Sequence, residues 1–172
     1  MRTMLTRLGA MAFVAWLALR TTADAAATSW SDYAPDAAEC AFLAVINEFR
    51  VDNGRRPLTL SATLGAAADH HSLDMAQNNV FSHTLSDGTS WNTNIMDHRY
   101  VRGAATAENI AAGRSSAKGV FSLWVNSPGH RANMLDPKLY AVGIARAYDA
   151  DAKYGWYWAT TFGSRSSRTI SC

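Results

Sequence analysis

Three segments of the chain carry side chains able to share a proton or a cation. They are Phe81-Ser82-His83, Ala107-Glu108-Asn109-Ile110 and Ser127-Pro128-Gly129-His130-Arg131-Ala132-Asn133. Glu108 stands among alanines, where a carboxylate is costly unless paired. A histidine or a metal ion would satisfy it. Two imidazoles and one carboxylate are the ligand set of open zinc centres, with water in the fourth position. The spacing is not the helical H-E-x-x-H, so a metal-free role stands beside it: Glu108 accepts a hydrogen bond and fixes a histidine tautomer. Taken singly, His83 after a helix end and His130 after a Pro-Gly turn are ordinary surface histidines. The set of three is what points to a cleft built by tertiary folding.

Other groups fit chemistry less well. Ser82 adjoins His83 and Ser127 lies near His130, but neighbours in sequence do not face each other as nucleophile and base. There is no G-x-S-x-G elbow. His71 reads as a satisfied core histidine, His70 as solvated, and His98, in the Asp97-His98-Arg99 turn, as exposed. The aromatic run over residues 154–162 could bind sugars or lipids, yet alternating aromatics on a strand more simply face a core.

The elements that must position these residues follow from periodicity. Beyond Pro35, the residues Phe42, Ile46 and Phe49 recur at i, i+4 and i+7, which predicts an amphipathic helix ending at Asn53-Gly54. Ser61 is a plausible N-cap for a second helix, with Leu64, Ala68, His71 and Met75 on one stripe. Residues 55–60 read as a loop. Ser86-Asp87-Gly88 is turn chemistry, and residues 91–96 a short helix. Residues 104–113 read as a strand or an extended segment. Ser116 caps a third long helix through Trp124, which Pro128-Gly129 terminates before a helical turn over 131–135. Two alternating runs, Tyr140 to Tyr148 and Tyr154 to Phe162, predict an antiparallel hairpin. Helices first and a hairpin last argue for an α+β fold with helices covering sheet faces.

The ends and composition set the compartment. Arg2 and Arg7 precede an apolar run over residues 8–19, too short for a membrane span, and Ala23-Asp24-Ala25 fits an A-x-A cleavage site. Residues 1–25 therefore read as a signal peptide and 26–172 as one domain, with no stable membrane span after cleavage. The whole chain carries 16 basic and 14 acidic residues. The leader takes Arg2, Arg7, Arg20 and Asp24 with it, which leaves the two signs equal. No basic stripe remains of the kind that nucleic-acid binding needs. The two cysteines, Cys40 and Cys172, are expected to pair in an oxidising compartment; free thiols or pairing with another chain are the alternatives.

Together these segments resemble the CAP superfamily of cysteine-rich secretory, antigen 5 and pathogenesis-related 1 proteins, also called SCP-like domains, in its bacterial secreted branch. The likeness runs through Leu43, Asn47, Arg50 and Pro57-Leu58. It continues through His71-Ser72-Leu73-Asp74-Met75-Ala76, Phe81-Ser82-His83, Glu108-Asn109-Ile110-Ala111 and the run from Trp124 to Leu135, and ends with Val142-Gly143-Ile144-Ala145 and residues 158–163. The resemblance implies a three-layer α-β-α sandwich with a central antiparallel sheet. It implies a cleft where His83, Glu108 and His130 meet, with Asn109 and Ser127 as further candidates. Eukaryotic-type members carry a second glutamate where this chain has Ser127, and Ala107 replaces a common glycine. His83, His130 and Glu108 would be the ligands if zinc or another divalent cation is bound; no cofactor is required. The resemblance further implies a secreted or periplasmic binding module for a small lipid, a cell-envelope ligand or a protein partner. The alternative is a metal-dependent hydrolase, a peptidase or cell-wall hydrolase, using the same cleft. In a third reading the histidines only stabilise the cleft.

Overall fold

The computed structural model describes residues 32–172; the expected leader over 1–25 lies outside them. Helix α1 spans Ala37–Asp52. The Asp36 carboxylate accepts from the amides of Ala38 and Glu39, and Glu39 accepts in return from the Asp36 amide, a capping box that satisfies the orphan donors of the first turn. Helix α2, Ala62–Gln77, starts at its expected cap Ser61, and α3 covers Trp91–Asp97. Helix α4, Ala117–Val125, starts at its expected cap Ser116.

Helix α5 spans Pro128–Leu135, so Pro128-Gly129 opens a helix here as well as following one. Proline suits that position because the amide it lacks has no intrahelical partner in the first turn.

The strands are β1 (Thr59–Ser61), β2 (Thr106–Ala112), β3 (Ala141–Tyr148), β4 (Trp156–Gly163) and β5 (Thr169–Ile170). They form one sheet in the order β2-β4-β3-β1-β5. All neighbours are antiparallel except β1 and β3, which run parallel. The β3–β4 hairpin stands as read from alternation. The short strands β1 and β5 take residues expected in loops or not assigned.

Each sheet face is covered by helices, which makes an α-β-α sandwich. On one face Phe42 and Ile46 of α1, Trp124 of α4 and Met134 of α5 meet Val142, Ile144, Trp158 and Phe162. On the other, Ala66, Ala68 and Met75 of α2 meet Ala145, Ala147, Tyr157 and Ala159. The small residues bring α2 very close. A Cβ added at Gly143 of β3 would stand 2.1 Å from the Leu64 carbonyl carbon, so only glycine fits. Cys40 of α1 is disulfide-bonded to Cys172, and β5 beside it pairs with β1.

Candidate functional site

The site lies along β2, an edge strand of the sheet. Its side chains alternate between the two faces. Glu108, Ile110 and Ala112 turn towards α2; Ala107, Asn109 and Ala111 turn towards α4 and α5. Sequence neighbours therefore serve opposite walls of one cleft.

Glu108 is buried, and both of its carboxylate oxygens are engaged. Oε2 lies 2.6 Å from His71 Nδ1, and Oε1 lies 2.7 Å from His83 Nδ1. The two histidines differ sharply in setting: the His71 side chain is fully buried, while that of His83 is 50% exposed. His71 Nε2 also lies 2.9 Å from the Ser82 carbonyl oxygen. A carbonyl only accepts, so that nitrogen carries a proton. With an ionised Glu108, Nδ1 donates too and His71 is an imidazolium. Its pKa shift agrees: burial opposes the charge, but the hydrogen bond and the charge of Glu108 outweigh it and raise the His71 pKa.

This pair also orients the cleft. The bond from His71 to Ser82 ties α2 to the segment carrying His83. Donation from His83 Nδ1 to Glu108 leaves Nε2 of the neutral ring as a free acceptor on its exposed side.

The opposite wall is set by amides. Asn109 Nδ2 donates to the His130 carbonyl at 3.1 Å, and Asn133 Nδ2 donates to Asn109 Oδ1 at 2.9 Å and to the Glu108 carbonyl at 3.1 Å. The Trp124 indole donates to the Ile110 carbonyl at 3.1 Å. Two outward carbonyls of the β2 edge are thus capped by side chains of α4 and α5. His130 stands 5.8 Å, ring to ring, from Trp124. Burial, then the nearby His83, hold its pKa below the ordinary value. Its Nδ1 is buried without a hydrogen-bond partner.

Two hollows follow one another along β2. One, of about 390 Å³, is lined by His83, Trp91, Thr106, Ala107, Glu108 and Asn133. The other, of about 350 Å³, has a largely apolar wall that includes Phe81, Ile110, Leu123, Trp124 and Tyr154, with Ser127 and His130 at its side. Phe81, Leu123 and Tyr154 are large apolar groups left exposed at its rim.

The five residues singled out from sequence divide between these places. His83 and Glu108 bond each other, and Asn109 is buried beneath the cleft, bonded to the His130 carbonyl. Ser127 and His130 belong to the apolar hollow. Glu108 bonds His71 and His83, so no serine–histidine–glutamate relay runs through Ser127. The Ser82 hydroxyl accepts from the Thr84 amide at 2.9 Å.

A metal centre needs converging lone pairs, and here both Glu108 oxygens already accept hydrogen bonds from histidines. Among the described residues no group of three or more His, Cys, Asp or Glu side chains is disposed to hold a metal ion. The described arrangement does not fit a three-ligand centre.

His71 is the site residue that sequence reasoning placed only in the core. A signal was present: an inward histidine needs a buried partner, and Glu108 was the carboxylate needing one. His98 corrects an expectation. It caps the end of α3, is half-buried, and holds the Asn94 carbonyl with Nδ1 at 2.8 Å.

Comparison with known proteins agrees with this architecture. The model of the cysteine-rich secretory protein family, CAP, matches residues 43–162, and the chain belongs to that family. An uncharacterized protein of Bacillus subtilis, YkwD, is 32% identical over 57% of this chain and 38% of its own length. The uncharacterized membrane protein YlbC of the same organism is 32% identical over 62% of this chain and 31% of its own. The chain thus spans well under half the length of these relatives. Among solved structures, an outer surface protein of Borrelia burgdorferi is 25% identical, covering 73% of this chain and 91% of that one, at a TM-score of 0.64. An extracellular SCP-domain protein of Bacillus anthracis shares the fold at 24% identity and the same TM-score, over 73% of this chain and 39% of that one. Among the described residues, no helix is long and apolar enough to cross a membrane.

Proposed function

We propose that this protein acts outside the cytoplasm as a binding module for an amphiphilic molecule of the cell envelope. The observation that carries the reading is the succession of an apolar and a polar hollow along β2. Their volumes fall at the small end of ligand pockets, roughly 300–1,000 Å³. An apolar moiety lies against Phe81, Leu123 and Tyr154, which water would otherwise cover at a cost. A polar end meets His83 Nε2 and the exposed part of the second hollow. The leader-like N-terminus and the outer-surface location of the Borrelia relative support the compartment.

The test is titration with a fluorescent polyene fatty acid, followed by displacement with unlabelled lipid. Saturable binding is expected, with Leu123→Asp weakening it by about tenfold, a change of roughly 1.4 kcal/mol. His83→Ala weakens it less. Absence of saturable binding, or a Leu123→Asp variant that binds equally well, overturns the reading.

A second reading, a metal-dependent hydrolase, draws on one observation: the unpartnered Nδ1 of His130 beside His83. It requires Glu108 to release a histidine. Peptidase and cell-wall hydrolysis assays with added zinc decide it. Activity lost in the His83→Ala, His130→Ala double variant supports it, and activity unchanged there excludes it.

A further inference from the structure

A second pair of imidazoles lies away from the cleft, where α2 meets α3. His70 is exposed on α2, and His98 caps the end of α3. Their ring centroids are 5.3 Å apart, with planes inclined at 43°. One residue holds both. His70 Nδ1 lies 2.8 Å from Asn94 Oδ1, and His98 Nδ1 lies 2.8 Å from the Asn94 carbonyl oxygen. Asn94 is buried, and its Nδ2 donates to the Ala67 carbonyl at 2.8 Å, which fixes which end of the amide faces His70.

The tautomers follow. A carbonyl and an amide oxygen only accept, so each Nδ1 must carry the proton. In the neutral rings both lone pairs then sit on Nε2. This is how metal-ligating histidines are commonly prepared: the second nitrogen donates to an oxygen that sets ring orientation and basicity. The surroundings favour a cation. Asp69 and Asp97 lie within electrostatic reach of His98, and Asp87 within reach of His70.

We infer that His70 and His98, braced by Asn94, form a two-imidazole site for a divalent transition-metal ion. Imidazole nitrogen selects zinc, copper or nickel over magnesium or calcium. Water completes the coordination shell. The ion would clip α2 to α3 and stabilise the fold by binding only the folded chain.

The experiment is calorimetric titration of the full chain, prepared without a histidine tag, with Zn²⁺ alone near neutral pH. One ion per chain is expected at this site, with a matching rise in melting temperature. His70→Ala should weaken binding by roughly tenfold or more, as should His98→Ala, while His83→Ala leaves it within about twofold. Copper(II) loaded in place of zinc should show nitrogen hyperfine structure from two imidazoles by electron paramagnetic resonance, falling to one in either variant. His70 is exposed, so its variant remains informative even if His98→Ala folds poorly. No saturable Zn²⁺ or Cu²⁺ binding overturns the inference. So does binding that survives His70→Ala, or binding that is lost instead with His83→Ala.

Discussion

Truncating His71 would leave the Glu108 carboxylate buried with His83 as its remaining histidine. Breaking a buried pair in this way costs roughly 3–5 kcal/mol, because one charge stays uncompensated. His83 bonds the same carboxylate with half of its side chain in water, so solvent can take its place when it is removed and the loss is smaller. Urea unfolding should therefore rank His71→Ala far below His83→Ala in stability, although both touch Glu108. The pH dependence has a definite sign. Glu108 raises the His71 pKa above 6.5, against the opposing effect of burial. The folded state thus holds a proton that the unfolded state releases. The stabilisation is complete below pH 6.5 and is lost as pH rises through the folded pKa. Melting temperature should fall with rising pH above that point in the native chain, and fall less in His71→Ala. At this scale the sequence carried the acid and the exposed histidine, but not the pairing. Periodicity says that His71 points inward; it does not say which strand lies opposite.

Helix α2 brings His71 to the sheet only because β3 has no side chain at Gly143. Gly143→Ala would drive a methyl group into the Leu64 backbone, which cannot rotate away as a side chain could. Overpacking of this kind costs about 1–3 kcal/mol or more. The displaced helix should also weaken the His71–Glu108 contact. Chemical denaturation measures the first effect, and the His71 ring resonances in NMR report the second. Helix α5 is fixed differently. The buried Arg50 of α1 donates to the carbonyls of Met134 at 2.5 Å and Leu139 at 2.8 Å, binding the end of the helix that carries His130. The starts of α2 and α4 were legible because Ser61 and Ser116 are caps followed by apolar runs. The start of α5 was harder to read, since Pro128-Gly129 fits a helix end and a helix beginning equally well. Strand β1 was not legible at all. Thr59 and Leu60 pair with Ala141 and Val142 of β3 in parallel, a contact made across some eighty residues that no local pattern encodes.

For the molecule as a whole, the Cys40–Cys172 bridge closes nearly the entire described chain, with a separation of 132 residues. The chain-entropy model assigns such a loop about 4–5 kcal/mol. Reduction, or a Cys40→Ser, Cys172→Ser double variant, should lower the melting temperature markedly. Circular dichroism before and after dithiothreitol checks it. The cysteine pairing and the α+β class were readable from composition and element order, while the sheet order was not, because it depends on which edges the helices leave open. That order has a further consequence. A bare outer strand invites a neighbouring molecule to zip alongside it and begin a stack. Here an approaching backbone meets the Trp124 indole and the Asn133 carboxamide already seated on the oxygens it would need. The same side chains that shape the cleft therefore keep crowded copies of the protein from templating one another.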